Sequence, residues 1–589
     1  MANVNFSEPE DVKAPINVAF AGQNKPAVVA DLMRGAVEAG RLRIAMTTET
    51  WKFALAYELP SWPFAAPPDV ASGTRQRHPV VIAGGGLAGL TLACDLAQRG
   101  VAVVLLDEDD TVGVRGASSR GICYAQKSLE LFDRLGLYER IRAKGITWSV
   151  GRTFSGADEV YHFDLEDDSL SEQPPFINLQ QFYLEWFLVE RILALDAGAI
   201  RWKSSVDRVE NGAGGVVVHV DTPAGGYALE ADWFVDATGA NSRIRNAMGL
   251  EVNASRGTDR WCITDVKFKK PFATERWTWI DAPFNEGRAV WQHLMADDVW
   301  RLDYQMSEDA DPEAISRPEV AGARLRAQLG ADVEFEFVWI GPYQYRDHLL
   351  ERFKVGRTLF IGDAAHVVSP FGARGGNNGI QDAGNLGWKL ALVLQGRAGE
   401  ALLDSYHAER HPAAVENLTV TSRTTRFLAP RSAAERRIRQ AVVDLARTHP
   451  FARKLANTGR MSQANAYPPS PWAPHGARSL QNVAFDGTTV MRLLADGTRF
   501  LGLWIGPANA GWAALHSLAS TWPIVLRAVP AESELARHLH ADEGTFVLVR
   551  PDAYVAATVE AATRESAEAT LRAALSLHAA SLSTVGATP

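Results

Sequence analysis

Val80-Val81-Ile82-Ala83-Gly84-Gly85-Gly86-Leu87-Ala88-Gly89 is the stretch on which the fold turns. Its first four residues form a short apolar run, read as a strand buried on both faces. The glycines follow at once in a GxGxxG spacing and open a helical run from Leu87 to Arg99, which stops at Gly100 before a second apolar strand, Val101 to Leu106. This is a βαβ unit. Gly84 permits the tight turn, Gly86 lets backbone approach a pyrophosphate, and Gly89 lets helix pack close to strand. The helix amino terminus adds free N–H groups and positive dipole. Asp107 stands 23 positions after Gly84, where a carboxylate accepts hydrogen bonds from a ribose diol. Gly84, Gly86, Leu87, Ala88, Gly89, Asp107 and Glu108 are therefore the candidate dinucleotide-binding residues, a fingerprint that FAD and NAD both satisfy.

Working outward, the 589 residues exceed what one core usually organises, so about three or four domains are expected. Sixty basic residues against 69 acidic ones give a net charge of −9, which argues against nucleic acid as a partner. Three widely spaced cysteines, Cys94, Cys123 and Cys262, offer neither a disulfide framework nor a zinc motif, and no metal is expected. Neither a signal peptide nor a membrane-spanning run is evident, so a cytoplasmic protein is expected.

Residues 1–78 read as an amino-terminal extension, with Val29, Leu32, Met33, Ala36 and Val37 on one helical face before Gly40, ending in the linker from Pro60 to Pro68. A first part of the dinucleotide-binding domain is assigned to 79–250. Residues 251–345 alternate strand patterns with polar turns and carry Trp261, Trp277, Trp279, Trp291 and Trp300, which suggests a substrate-binding sheet covered on one side. The second part of the dinucleotide-binding domain follows at 346–430, then a helical connector at 431–475. A small α/β domain at 476–589 has strands at Phe500 to Ile505, Pro523 to Ala528 and Thr545 to Val549, and a helix near Ser566 to Ala579. His538 and His540 lack a third ligand at metal-site spacing and read as a solvated turn.

A second motif chooses between the dinucleotides. Arg357 to Ile361 reads as an apolar strand delivering Gly362 and Asp363 to a turn. Ser369-Pro370-Phe371-Gly372-Ala373-Arg374-Gly375-Gly376-Asn377-Asn378-Gly379 then forms a Gly-rich loop feeding a helix through Asp382, Asn385 and Trp388. The run from Gly362 to Leu390 resembles the FAD-binding signature of group A flavin-dependent aromatic hydroxylases, the superfamily of 4-hydroxybenzoate hydroxylase and phenol hydroxylase. The wording of other stretches, among them Trp300 to Gln305 and Glu275 to Phe284, is most similar to the 3-(3-hydroxyphenyl)propionate hydroxylase branch.

The resemblance implies an α/β fold: a Rossmann-like FAD-binding domain, an interleaved substrate-binding β-sheet domain, and a thioredoxin-like carboxy-terminal domain, here without cysteine. It implies that Asp363 bonds the ribityl chain, that the loop from Pro370 to Asn378, including Gly372, Gly375 and Asn377, lines the isoalloxazine, and that Arg120 and Gln181 contact the flavin. Pro370 and Gly372 are the expected catalytic flavin-edge positions. The implied reaction uses NADH or NADPH to reduce FAD; O2 then adds at flavin C4a, and the hydroperoxide hydroxylates an aromatic, phenolic substrate. A homodimer is the expected assembly. For a base that ionises the phenol, His293, Tyr304 and Tyr343 are the candidates.

One departure stands out. The superfamily's Asp-Gly motif ahead of a helical Ser-x-x-Arg appears here as Asp236-Ala237-Thr238-Gly239, with Thr238 in the Asp position. That puts the nicotinamide step in question. Two alternatives stay open: a flavin-dependent halogenase, from the partial WxWxIP echo in Trp277-Thr278-Trp279-Ile280-Asp281-Ala282-Pro283, and a non-catalytic FAD-binding module.

Overall fold

The computed structural model describes residues 57–113, 121–165, 169–196, 198–370, 372–456 and 463–577. The helix expected from Val29 to Val37, and also Arg120 and Phe371, lie outside the described residues.

β1 (Arg77–Ala83) ends in four buried residues, as a parallel strand covered on both faces requires. Gly84, at φ +108°, turns the chain into α1 (Leu87–Gln98), which leads to the fully buried β2 (Val103–Leu106). β2 lies parallel to β1, Val80 beside Val103 and Ala83 beside Leu106. The chain then leaves this sheet for a hairpin, β3 (Val150–Ser155) and β4 (Asp158–Asp164), before α2 (Gln181–Leu195) packs on α1. β5 (Tyr227–Asp236) returns beside β1, with Ala83 opposite Asp236.

An antiparallel layer follows: β6 (Val252–Phe268), β7 (Arg276–Ala282), β8 (Arg288–Leu294), β9 (Val299–Met306), the helix α3 (Pro318–Leu329) and β10 (Phe335–Leu350). β11 (Thr358–Phe360) then re-enters the first sheet beside β5, and β12 (His366–Val367) pairs with β10. Two long helices, α4 (Gly375–Leu394) and α5 (Asp404–Leu428), precede a helical pair, α6 (Ala433–Ala446) and α7 (Pro450–Ala456). Among the described residues no helix is long and apolar enough to cross a membrane.

The first sheet thus runs β11-β5-β1-β2 with mutually parallel neighbours, a Rossmann-like core. The second has the order β12-β10-β6-β9-β8-β7-β3-β4. It therefore draws two strands from residues 150–164, a stretch the sequence reading placed wholly in the dinucleotide-binding part. Both faces of this sheet are covered, not one. Strand period explains it: on β9, Trp300, Leu302 and Tyr304 pack toward Leu325 of α3, while Arg301, Asp303 and Gln305 face the other way. Trp277 and Trp279 share the α3 side, whereas Trp261 and Trp291 stack on the opposite one, with centroids 4.7 Å apart.

In the last domain, β13 (Phe500–Ile505) and β14 (Ile524–Val529) are parallel, and β15 (Phe546–Val549) and β16 (Tyr554–Val559) form a hairpin before α8 (Arg564–Ala574). The order β16-β15-β13-β14, with β15 antiparallel to β13, is a thioredoxin-like arrangement. It is bolted to the rest by buried charge. Glu409 of α5 accepts from Arg550 Nη1 at 2.6 Å and Nη2 at 3.0 Å, and from Lys389 Nζ of α4 at 2.8 Å.

Candidate active site

The sequence motifs meet at Ala88. A Cβ built on Gly362 would lie 2.9 Å from the Ala88 methyl, and one on Gly379 would lie 3.1 Å from it. No larger residue fits where α1, the Gly362 turn and α4 converge. Gly84 is held as tightly, since a Cβ there would fall 2.3 Å from the Ala237 carbonyl oxygen. Above Gly86 and Gly375, by contrast, an added Cβ meets nothing within 4 Å. These two residues sit at the amino termini of a 12-residue and a 20-residue helix, so the open space above them, the candidate groove, lies beside two sets of backbone N–H groups that have no partner within their own helix.

That groove fits FAD, which needs one helix terminus for its pyrophosphate and another for the charge that reduced flavin carries near N1 and O2. Asn378 strengthens the fit. Its Oδ1 accepts from Asn417 Nδ2 at 2.7 Å and from Arg410 Nη2 at 3.2 Å, while its buried Nδ2 has no partner among the described residues.

The structure places the other expected residues as follows. Asp107 accepts from the Gly85 amide and, at 2.8 Å, from the Asp109 amide, fixing it across the mouth of the Gly-rich turn, with Glu108 exposed beside it. Asp363 is exposed between buried Gly362 and Ala364, Pro370 is exposed after buried Ser369, and Gly372, at φ +98°, needs a conformation that glycine supplies. Gln181 accepts from the Gly121 amide at 3.2 Å and donates to Glu185 at 2.7 Å. The side chain of Asn377 is engaged by the protein itself. Its Oδ1 accepts from Ala125 N and Ser128 Oγ, and its Nδ2 donates to Cys123 O and Ala373 O, all within 2.6–2.9 Å. Every side-chain valence is taken, so Asn377 clamps the loop to residues 123–125 and has none left for a cofactor.

Three supporting residues went unrecognised in sequence. Buried Asp382 accepts from Gly362 N at 3.0 Å, His366 Nε2 at 2.7 Å and Arg410 Nε at 2.7 Å, locking the Gly362 turn onto α4. Burial opposes its charge, but His366 and Arg410 outweigh that and hold its carboxyl below the usual range. Arg245 donates to Ala364 O at 3.0 Å and Ala240 O at 2.8 Å, tying the two turns together. Asp236 accounts for the altered motif: its carboxylate, fully buried, accepts from Thr238 N at 3.0 Å, Thr238 Oγ1 at 2.6 Å and Ser242 Oγ. The acidic group lies beneath this turn instead of on it. Burial pushes its pKa up against those hydrogen bonds.

The second sheet turns a polar and aromatic face to the groove. Ala373, in the Gly-rich loop before α4, packs against a cluster of Ile122, Cys123, Met295, Val299 and Val338. On the face that carries Val299 stand Arg301 and Asp303 of β9, with Asp265, His293 and Arg276 on the strands beside them. Arg301 Nε donates to Asp265 Oδ1 at 3.0 Å, and His293 Nε2 lies 3.9 Å from Asp303 Oδ2. Burial drives Asp303 up to about 6, with Arg301 opposing, Asp265 adding and Arg276 opposing. Burial, then Arg276 and Arg301, hold His293 well below its ordinary value. Of the expected bases, Tyr304 is corrected. It projects to the α3 side, where its hydroxyl donates to Gln328 at 2.6 Å, because adjacent residues on a strand face opposite ways. Tyr343, opposite Trp261, stays on the groove side.

Fold and site define a two-sheet flavoprotein whose second sheet packs against the loop beside a candidate FAD cradle. The family described as FAD binding domain matches residues 77–421, over half of the chain, and the chain belongs to it; the aromatic-ring hydroxylase carboxy-terminal family matches residues 472–578. It is an FAD-dependent monooxygenase of the aromatic-ring hydroxylase type, with the NAD(P)H reductant typical of the family. The chain is 26% identical over 411 residues to the 3-(3-hydroxyphenyl)propionate/3-hydroxycinnamic acid hydroxylase of Mycolicibacterium smegmatis, covering 68% of this chain and 72% of that one. It is 31% identical over 373 residues to the rifampicin monooxygenase of Streptomyces venezuelae, covering 62% and 75%. Among solved structures, the anhydrotetracycline hydroxylase OxyS of Streptomyces rimosus superposes with a TM-score of 0.64 at 25% identity, over 85% of this chain and 99% of that one.

Proposed function

We propose that the chain hydroxylates the ring of a planar phenolic substrate lying between the Pro370–Gly372 loop and the groove-side face of the antiparallel sheet. The observation that carries this is the pairing, on that one face, of stacked Trp261 and Trp291 with a polar set made of half-buried Asp303 and Arg276 and buried Arg301. Rings bind stacked indoles through dispersion and area, while the polar set orients a hydroxyl. Relatives named for hydroxyphenylpropionate and anhydrotetracycline support a hydroxylated aromatic substrate.

The chemistry that FAD would supply here, when bound, is acceptance of hydride from NAD(P)H and delivery of one oxygen atom of O2 to the ring. The Gly84–Gly89 turn and Asp107 would hold its adenosine diphosphate part, Asp363 its ribityl chain, and the Asn377-clamped loop with Asn378 its ring system. Pro370 and Gly372 border the reacting edge, and the apolar cluster around Met295 and Val299 excludes water there. Trp277 and Trp279 pack on the α3 side with Phe154, away from the groove, which favours hydroxylation over halogenation. We assign a cytoplasmic setting, supported by three cysteines that are all free and buried. A homodimer is supported by Ile438, Leu445, Phe451 and Leu455, an apolar set exposed on α6 and α7. The test is a panel of phenols assayed for NADH and NADPH consumption with product mass detection, with and without halide. Phenol-stimulated consumption matched by a product 16 mass units heavier supports the reading; halide-dependent products or no product refute it.

A further inference from the structure

We propose that Asp303 is the base that ionises the substrate phenol, with Arg276 and Arg301 receiving the resulting phenolate. The inference rests on the reading of the site as a phenol hydroxylase.

Asp303 is ringed by protein yet keeps 19% of its side chain open, which is what a group lining an enclosed cleft shows. The groups facing it come from every neighbouring strand: Arg301 on its own strand, Asp265 on β6, Arg276 on β7 and His293 on β8, with Cys123 below. The Asp265 carboxylate is engaged by Arg301, whereas no hydrogen bond from a described side chain caps Asp303. His293 is the expected base by residue type, but burial and two guanidinium groups oppose a proton on it. Asp303 keeps its affinity for a proton nearer neutral pH, so the carboxylate is the better base of the pair.

The step conserves charge inside the cleft. The phenol O–H bond breaks, its electron pair stays on oxygen, and the proton moves to Asp303. One buried negative charge thereby passes from carboxylate to phenolate beside Arg276 and Arg301, and no new charge is buried. The phenolate is richer in electrons at its ortho and para carbons, where an electrophilic oxygen is received. Afterwards the ring carbon sheds its hydrogen as a proton to water. The carbonyl that the phenolate became takes the proton back from Asp303, restoring the carboxylate.

The test uses flavin-loaded enzyme, wild type and Asp303→Asn, against an ordinary phenol and a nitrophenol acidic enough to be ionised at pH 8. Wild-type kcat/KM on the ordinary phenol should fall about tenfold per pH unit below about 6. D303N should lose that limb and drop roughly 10²-fold or more at neutral pH, yet come within about tenfold of wild type on the ionised nitrophenol. Equal losses on both phenols, or an unchanged acid limb, would overturn the assignment. A second measurement needs no variant: nitrophenol bound to oxidised wild-type enzyme should keep its phenolate absorbance below the pH at which the free phenol protonates. Absorbance that follows the free phenol would also overturn it. Failure of the wild type to hydroxylate any phenol is a different result, which removes the reading beneath.

Discussion

Glu409→Gln should loosen the carboxy-terminal domain, and the structure sets the size of the effect. Glu409 is buried between Arg550, Lys389 and Asn385 Nδ2, the last donating at 2.7 Å. Burial alone would raise its pKa, but Arg550 and Lys389 reverse that and take it from 4.5 to about 2. About 2.5 pH units of depression correspond to ~3 kcal/mol. Because the folded-state value is lowered, this contribution is present above about pH 4.5 and is lost as pH falls toward 2. Glutamine keeps the shape but removes the charge, leaving Arg550 and Lys389 buried with less compensation. Lys389 is already held down to about 8 by burial. Breaking such a pair from one side costs ~3–5 kcal/mol. For a domain near 100 residues that lowers the thermal midpoint by roughly 10 °C or more. Calorimetry at pH 7, with limited proteolysis to detect release of the carboxy-terminal domain, reads it directly. A midpoint within a degree or two of wild type, with an unchanged stability profile between pH 5 and 3, would refute the reasoning.

Two further outcomes follow from the cradle. Gly84→Ala drives a Cβ into the Ala237 carbonyl at a φ of +108° and should weaken FAD binding at least tenfold, measured by quenching of flavin fluorescence; wild-type affinity would refute the close packing assigned there. Asp236→Asn removes an acceptor from the Thr238 turn and should cost ~1–3 kcal/mol. Because burial raises its pKa, the stability tied to this carboxyl is greatest below its ordinary 3.8 and declines as pH rises through the shifted value. Unfolding midpoints of wild type and D236N across pH should therefore differ in slope, and parallel curves would contradict this.

Much of the fold was legible because its signals are local. Alternation of strand and helix around Gly84, and the Gly-rich run into α4, are dictated by neighbours in sequence, and Phe500 to Ile505 falls on the observed strand to the residue. The groove-side face of the second sheet was harder to read. Asp303 and Arg276 lie within stretches that drew attention for their aromatics, yet only strand period separates Asp303 from Tyr304, its neighbour on the opposite side. Asp236 and Asp382 act through partners 2 to 28 residues away, and Arg410 sits on another helix, so no spacing announces them. The hairpin of β3 and β4 joins its sheet through β7, where Gly151 pairs with Arg276 and Phe154 with Trp279, each 125 positions on, a pairing that pattern alone does not specify.

The central claim, that this FAD enzyme places an oxygen atom on a phenolic ring, is tested most directly with isotopically labelled oxygen. Purified yellow enzyme, NADPH or NADH, and the best phenol from the panel are incubated under ¹⁸O₂. The expected product is hydroxylated and carries one ¹⁸O atom, formed in proportion to nicotinamide consumed. Product labelled from water, or nicotinamide consumption that ends only in hydrogen peroxide with every phenol tried, would contradict it.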